Sequence, residues 1–237
     1  MPQTGWIVFL WLCAMLMLDA SVWNSPYPES QRQQNILFSS FSSSPKHLDP
    51  VVSYNANEWA ILAQIYEPPL QYNYLKRPYL LEPLTLTDMP ELVCLDQNGR
   101  RVNKESDKVA YSRYRLHLRR DIRYAPHPAF AKRRDGALLY GKLDQERLSS
   151  LNTIADLEQR DSRRVVAEDY AYAIKRMAVR QYHSPILDTM MPYIVGLEAF
   201  SKEITAIAQA RQEKGEILDL RPYHIKGVKV IDEDTLD

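Results

Sequence analysis

Glycine is scarce in this sequence, with 7 in 237 residues. Glycine-built phosphate loops have little material here, and no G-x-G-x-x-G or P-loop is present. Cysteine is scarcer still: Cys13 and Cys94 are the only two, too few for a disulfide scaffold. Charge of one sign is also missing. Lys+Arg and Asp+Glu each number 30, so the net charge is zero. A general nucleic-acid binder carries a basic surplus, and nucleic acid is not expected as a partner. There is no apolar run of about 20 residues, the length that a membrane-spanning helix needs. G-x-S-x-G, H-E-x-x-H and C-x-x-C are absent. The five histidines, His47, His117, His127, His183 and His224, do not fall at metal-ligand spacing with one another or with cysteine. No catalytic residue, metal or cofactor is assigned.

What is present is an ordinary globular composition, 45% hydrophobic and 25% charged, enough chain for a real core. The longest apolar run, Trp6 to Leu18, is thirteen residues ended by Asp19. That length fits a signal-peptide hydrophobic region. Ala20 and Ser21 supply small residues for cleavage, although no Lys or Arg precedes the run. Residues 1–22 are therefore expected to be a signal peptide or N-terminal anchor. If they are removed, Cys94 is the only thiol left. Residues 23–44, rich in Ser, Gln, Pro and Asn, read as an extended tether holding one strand, Ile36-Leu37-Phe38.

Residues 45–237 read as the folded part. Helical spacing over 55–66 puts Trp59, Leu62, Ile65 and Tyr66 on one side, with Pro68-Pro69 ending the helix. Leu92 to Leu95 is a short strand, and Asp96-Gln97-Asn98-Gly99 is a turn. From Val109 to Arg119 the pattern alternates: Tyr114, Leu116 and Leu118 against Arg113, Arg115, His117 and Arg119. The arginines read as a solvated face. Residues 125–164 read as a surface insertion with a short helix near Gln145 to Leu151. Two helical stripes follow. One is Val166, Tyr170, Ala173, Ile174 and Met177; the other is Leu197, Phe200, Ile204, Ile207 and Ala208, stopped by Gly215. A strand begins at Val228. The ending Asp232-Glu233-Asp234-Thr235-Leu236-Asp237 reads as a turn with no second strand after it, or as a frayed polar tail.

Seven short segments, taken in order, resemble the N-terminal part of the family 5 extracellular solute-binding proteins. These are the dipeptide/oligopeptide-binding components of ABC transporters. The segments are Pro45-Lys46-His47-Leu48-Asp49-Pro50; Ile65-Tyr66-Glu67-Pro68-Pro69-Leu70; Tyr114 to Tyr124; Ala167-Glu168-Asp169-Tyr170 with Ile174-Lys175-Arg176; Ser184-Pro185; Ile194-Val195-Gly196; and Gly227 to Asp232 with Asp234-Thr235-Leu236. There are departures. Asp121 stands where glycine is usual, Val166 where the helix-capping Thr is usual, and the 125–164 insertion displaces the D-G-x-x-x-T. The resemblance implies an α/β fold of the type II periplasmic binding protein kind. It would be incomplete, the N-terminal portion of lobe I only, with a mixed sheet and packed helices. It implies capture of a peptide or similar small solute, with no enzyme chemistry. Its partners would be the membrane permease subunits and a separately encoded remainder of the receptor. Its place would be the periplasm or the outer face of the inner membrane. The cleft-edge residues map to Ser44, Pro45, Lys46 and His47, and Ser44, Lys46 and His47 are the candidate ligand contacts. Two other readings stand beside this one. One is a partner-binding or chaperone-like module; the other is a hydrolase using His47 and Asp49.

Overall fold

In the computed structural model, residues 28–31, 34, 40 and 43–237 are described. The expected leader and the strand at Ile36-Leu37-Phe38 lie outside the described residues. The chain divides into two compact units, Met1–Ser43 and Ser44–Asp237. In the first, Glu29–Gln31 forms a single 3-10 turn. Everything below concerns the second.

The second unit mixes α and β structure. Helix α1 is Ala56–Leu62. Strands β1 (Leu70–Tyr72) and β2 (Leu81–Pro83) pair as an antiparallel hairpin. Strands β3 (Glu91–Leu95) and β4 (Tyr111–His117) follow, then a short helix α2 (Gln145–Ser149). Helices α3 (Ala167–Ala178), α4 (Leu187–Met190) and α5 (Leu197–Glu213) precede β5 (Val230–Asp232) and β6 (Thr235–Leu236). The larger sheet has the order β3-β4-β6-β5. Its pairings are all antiparallel, where the sequence reading has a mixed sheet.

β3 and β4 join through the predicted turn. Gly99 sits at φ +76, and the Gly99 amide donates to the Asp96 carbonyl at 3.0 Å. Leu92 lies opposite Tyr114, and Leu116 opposite Leu236, so these four share one face of the sheet. Helix α3 closes the part of that face nearest β6. Leu86, Leu118 and Leu236 pack with Ala167 and Ala171 in one core cluster. The two alanines let the helix come close to the sheet. The inward stripe matches the expected one in part. Met177 is buried and Tyr170 and Ile174 pack against the core clusters, while Ala167, Ala171, Lys175 and Ala178 are buried as well and Ala173 is exposed.

A second core cluster lies at the other end of α3. Met177, Ala178 and Val179 meet Leu187 from α4, Leu197, Phe200 and Ile204 from α5, and Leu220 and Ile225 from the following segment. The α5 stripe falls where its periodicity puts it. Gly196 and Gly227 hold the entry to α5. The Gly227 amide donates to the Val195 carbonyl at 2.8 Å. Gly196 adopts φ +81, which favours glycine.

Helix α1 differs from expectation in length and in face. It stops at Leu62, and Glu58 and Leu62 are its buried residues, while Trp59, Ile65 and Tyr66 are 61%, 60% and 47% exposed. The end of the sequence differs too. Thr235–Leu236 is a strand, inserted between β4 and β5, and Lys229 and Asp237 exchange backbone hydrogen bonds at 2.8 Å. Residues 232–237 are a hairpin rather than a loose tail. The region 125–164 does carry the expected short helix, at Gln145–Ser149.

Candidate functional site

The loop before α1 is held from two directions. The Asp49 carbonyl accepts the amides of Val52 and Ser53, and its carboxylate accepts the Val51 amide at 3.1 Å. The Arg176 guanidinium, on α3, grips the same carboxylate with bonds of 3.1 and 2.5 Å. Burial pushes the Asp49 carboxyl up, but Arg176 and the Val51 amide outweigh it and hold it below the usual range. The Ser53 hydroxyl donates to the His47 carbonyl at 2.9 Å.

Glu58 supplies the second hold. It is 1% exposed, and its carboxylate accepts the amides of Lys46, His47, Tyr54 and Asn55 at 3.1 to 3.4 Å. The Asn55 side-chain amide adds a fifth donor. Burial raises the Glu58 carboxyl; the donors more than offset it and hold it below its ordinary value. A buried carboxylate is tolerated because backbone dipoles replace its water. The requirement also explains the rotation of α1. Glu58 must face the loop, so its neighbour Trp59 faces solvent.

Ser44, Lys46 and His47 come together on this fixed loop, and all three side chains are exposed. The backbone amides of Lys46 and His47 are occupied by Glu58. A ligand could therefore be met there by the Ser44 hydroxyl and by the Lys46 and His47 side chains. Both oxygens of Asp49 face Arg176. Among the described residues, no group of three or more His, Cys, Asp or Glu could hold a metal.

Sequence reasoning missed Glu58. The signal was available, because Asn55 followed three residues later by Glu58 is a helix-start signature. It also missed the partners of the arginine face. Arg115 donates twice to Asp237, at 2.6 and 2.7 Å. Arg120 donates to Asp234 at 2.7 Å, and Arg119 pairs with Asp121. Arg164 bonds both Glu233 and Asp234. The acidic hairpin at 232–237 is the counterpart of these arginines.

An open groove of about 780 Å³ runs along α3, away from the loop; Ser44, Lys46 and His47 are not among its lining residues. Its apolar lining includes Leu138, Tyr172, Ile217 and Leu218. Its arginines are paired: Arg163 with Asp169, Arg164 with Glu233 and Asp234, and Arg221 with Asp219. Such a groove offers surface contact but no unmatched charge for an anionic ligand. No protein-family model matches the chain, and no curated protein matches it.

Proposed function

We propose that this chain is the substrate-binding component of an ABC transporter, capturing peptides or similar small solutes for uptake. On this reading its fold is the first-lobe portion of a type II periplasmic binding protein. It works in the periplasm or against the outer face of the inner membrane. Its partners are the permease subunits.

One observation carries the reading: segments that resemble the family in sequence also meet in space. Asp49 of the L-D-P segment is clamped by Arg176 of the A-x-D helix. The Gly196 turn closes on Gly227. The Ala167 amide donates to the Glu233 carbonyl at 2.8 Å, joining that helix to the last segment. Motifs that recur in order across a family do so when they hold one another.

The chemistry is recognition without bond-making. A peptide in such a cleft is held through its backbone amides, and closure of two lobes removes it from water. The unit Ser44–Asp237 supplies one wall. A peptide held by this wall alone, with three fewer net hydrogen bonds, binds about 3 kcal/mol more weakly, roughly a hundredfold in affinity.

The test is an amide-resolved NMR titration of the chain with di- to pentapeptide mixtures. Millimolar binding is expected, with shifts at Ser44 to Leu48 that weaken in Arg176→Ala. No peptide-dependent shift at millimolar concentration would overturn the reading. Turnover of a chromogenic peptide would replace it with a hydrolase.

A further inference from the structure

The β1–β2 hairpin ends in an unusual tip. Tyr74 and Leu75 are 87% and 84% exposed, and Tyr72 and Tyr79 beside them are 64% and 71% exposed. Four large apolar or aromatic side chains so exposed on one short hairpin are an interaction surface rather than scatter. Two features say what kind.

The first is the backbone of the tip. The amides of Leu75 and Lys76 donate to the Asn73 side-chain oxygen, each at 3.0 Å. The Asn73 amide donates to the Leu80 carbonyl at 2.8 Å. The Arg77 guanidinium donates to the carbonyls of Tyr74 and Lys76 at 3.1 and 2.8 Å. Three amides and three carbonyls of the tip are thus paired from within. Each group so paired leaves water at less cost.

The second is charge. Lys76 and Arg77 stand at the apex, and neither forms an ion pair among the described residues. No acidic residue occurs between Gln71 and Leu81. Glu82, at the base, is occupied by the side-chain amides of Gln71 and Asn73 at 3.0 and 2.8 Å. Arg77 also stacks over Tyr79, 4.6 Å from the ring centre.

We propose that this tip docks on an anionic lipid surface. Tyrosines sit at the headgroup level of a bilayer, where one end is apolar and the other wet. Leu75 enters the acyl boundary, and Lys76 and Arg77 meet lipid phosphates. The contact is shallow and reversible, and no helix among the described residues is long and apolar enough to cross a membrane. It does not depend on peptide capture. The tip lies in a different segment from Ser44, Lys46 and His47, and its test uses no peptide.

The experiment places an environment-sensitive nitrobenzoxadiazole label on Leu75→Cys in the full chain, with Cys13→Ser and Cys94→Ala. The control label is on Ile217→Cys, which is as exposed as the tip. Vesicles are phosphatidylcholine alone, or phosphatidylcholine with phosphatidylglycerol. A blue shift and a several-fold rise in emission are expected at 75 with the anionic vesicles, and none at 217. Lys76→Ala and Arg77→Ala should each weaken partitioning by about fivefold. Circular dichroism checks that each variant is folded. Silence at 75, an equal response at 217, or indifference to losing both cations would overturn the proposal. A tip that ignores vesicles but is shielded by a copurifying protein would overturn it in favour of a protein partner.

Discussion

Glu58 shows how one side chain can fix a loop and a helix together. It is ionised in the fold, and its carboxyl lies below the ordinary glutamate value of about 4.5. The unfolded chain therefore takes up a proton at higher pH than the folded chain does. The stability that Glu58 contributes is fully present above about 4.5 and is lost as pH falls through the lowered folded value. Glu58→Gln should lower the urea midpoint at neutral pH, because two good acceptor oxygens become one. It should also flatten the acid limb of the midpoint against pH. A variant that keeps the wild-type acid limb would show that another carboxylate governs it. Gly227 makes a different demand. Its backbone is not left-handed, yet a Cβ there would lie 2.8 Å from the Val195 oxygen and 2.9 Å from the Val195 nitrogen. Backbone cannot swing aside as a side chain can. Gly227→Ala should cost about 1–3 kcal/mol, read as a lower denaturant midpoint with an unchanged slope.

At the scale of elements, β6 has two residues and holds three others. Leu236, 6% exposed, lies opposite Leu116 on β4 and packs with Ala167 and Ala171 on α3. Leu236→Ala should cost about 2–5 kcal/mol, the range for a buried leucine with neighbours that cannot collapse into the gap. Asp237 next to it is gripped by Arg115, and Arg113 stands 3.9 Å away. Arg115→Ala should lower the melting midpoint more than Arg113→Ala, although both lie on the same strand face. Alternation along β4 finds the strand and the burial of Leu118, but Tyr114 on the expected inner face is 53% exposed, and the grip on Arg115 is missed because pairing with Asp237 spans 122 positions. The same limit explains the other misreadings. Strong local signals located β4, the Asn98-Gly99 turn, α3 and α5. On α3 the misread positions are alanines: Ala167, Ala171 and Ala173 are alike to a periodicity count, and only the sheet decides which of them it touches. Trp59 has core spacing by the same count, and the loop's need for a carboxylate turns it outward; Ile65 lies past the end of α1 at Leu62. For the candidate site, the position of Ser44, Lys46 and His47 beside Asp49 could be read. The Arg176 clamp, 127 positions away, could not.

Across the unit, burial is unevenly distributed, and the 125–164 region is one of its sparsely buried parts. Pro128 and Ala131 are its buried residues, while α3 and α5 contribute most of the larger core. The region is pinned at its base by backbone bonds between 122–127 and 161–165 and by a side-chain cluster. Arg163 grips Asp169 and lies over the rings of Tyr124 and Phe130, at 4.7 and 5.3 Å. Burial and the nearby Asp169 carboxylate push the Tyr124 phenol up to about 12, so that ring stays neutral beneath the guanidinium. A segment with few buried contacts opens without global unfolding, and proteolysis reports that opening. Its exposed basic residues include Lys132, Arg133, Arg134, Lys142 and Arg147. Brief trypsin treatment should cut after these before it cuts within 167–213. The two products should remain together on gel filtration, since β4 and α3 share a core that the cuts do not touch. Arg163→Ala removes both the ion pair and the stacked cation, and should speed cleavage at 132–147 without changing the order of sites. N-terminal sequencing of the first fragments decides the matter. First cuts at Lys175 or Lys202, or products that separate at once, would mean that the α3–α5 core is not the stable centre of the fold.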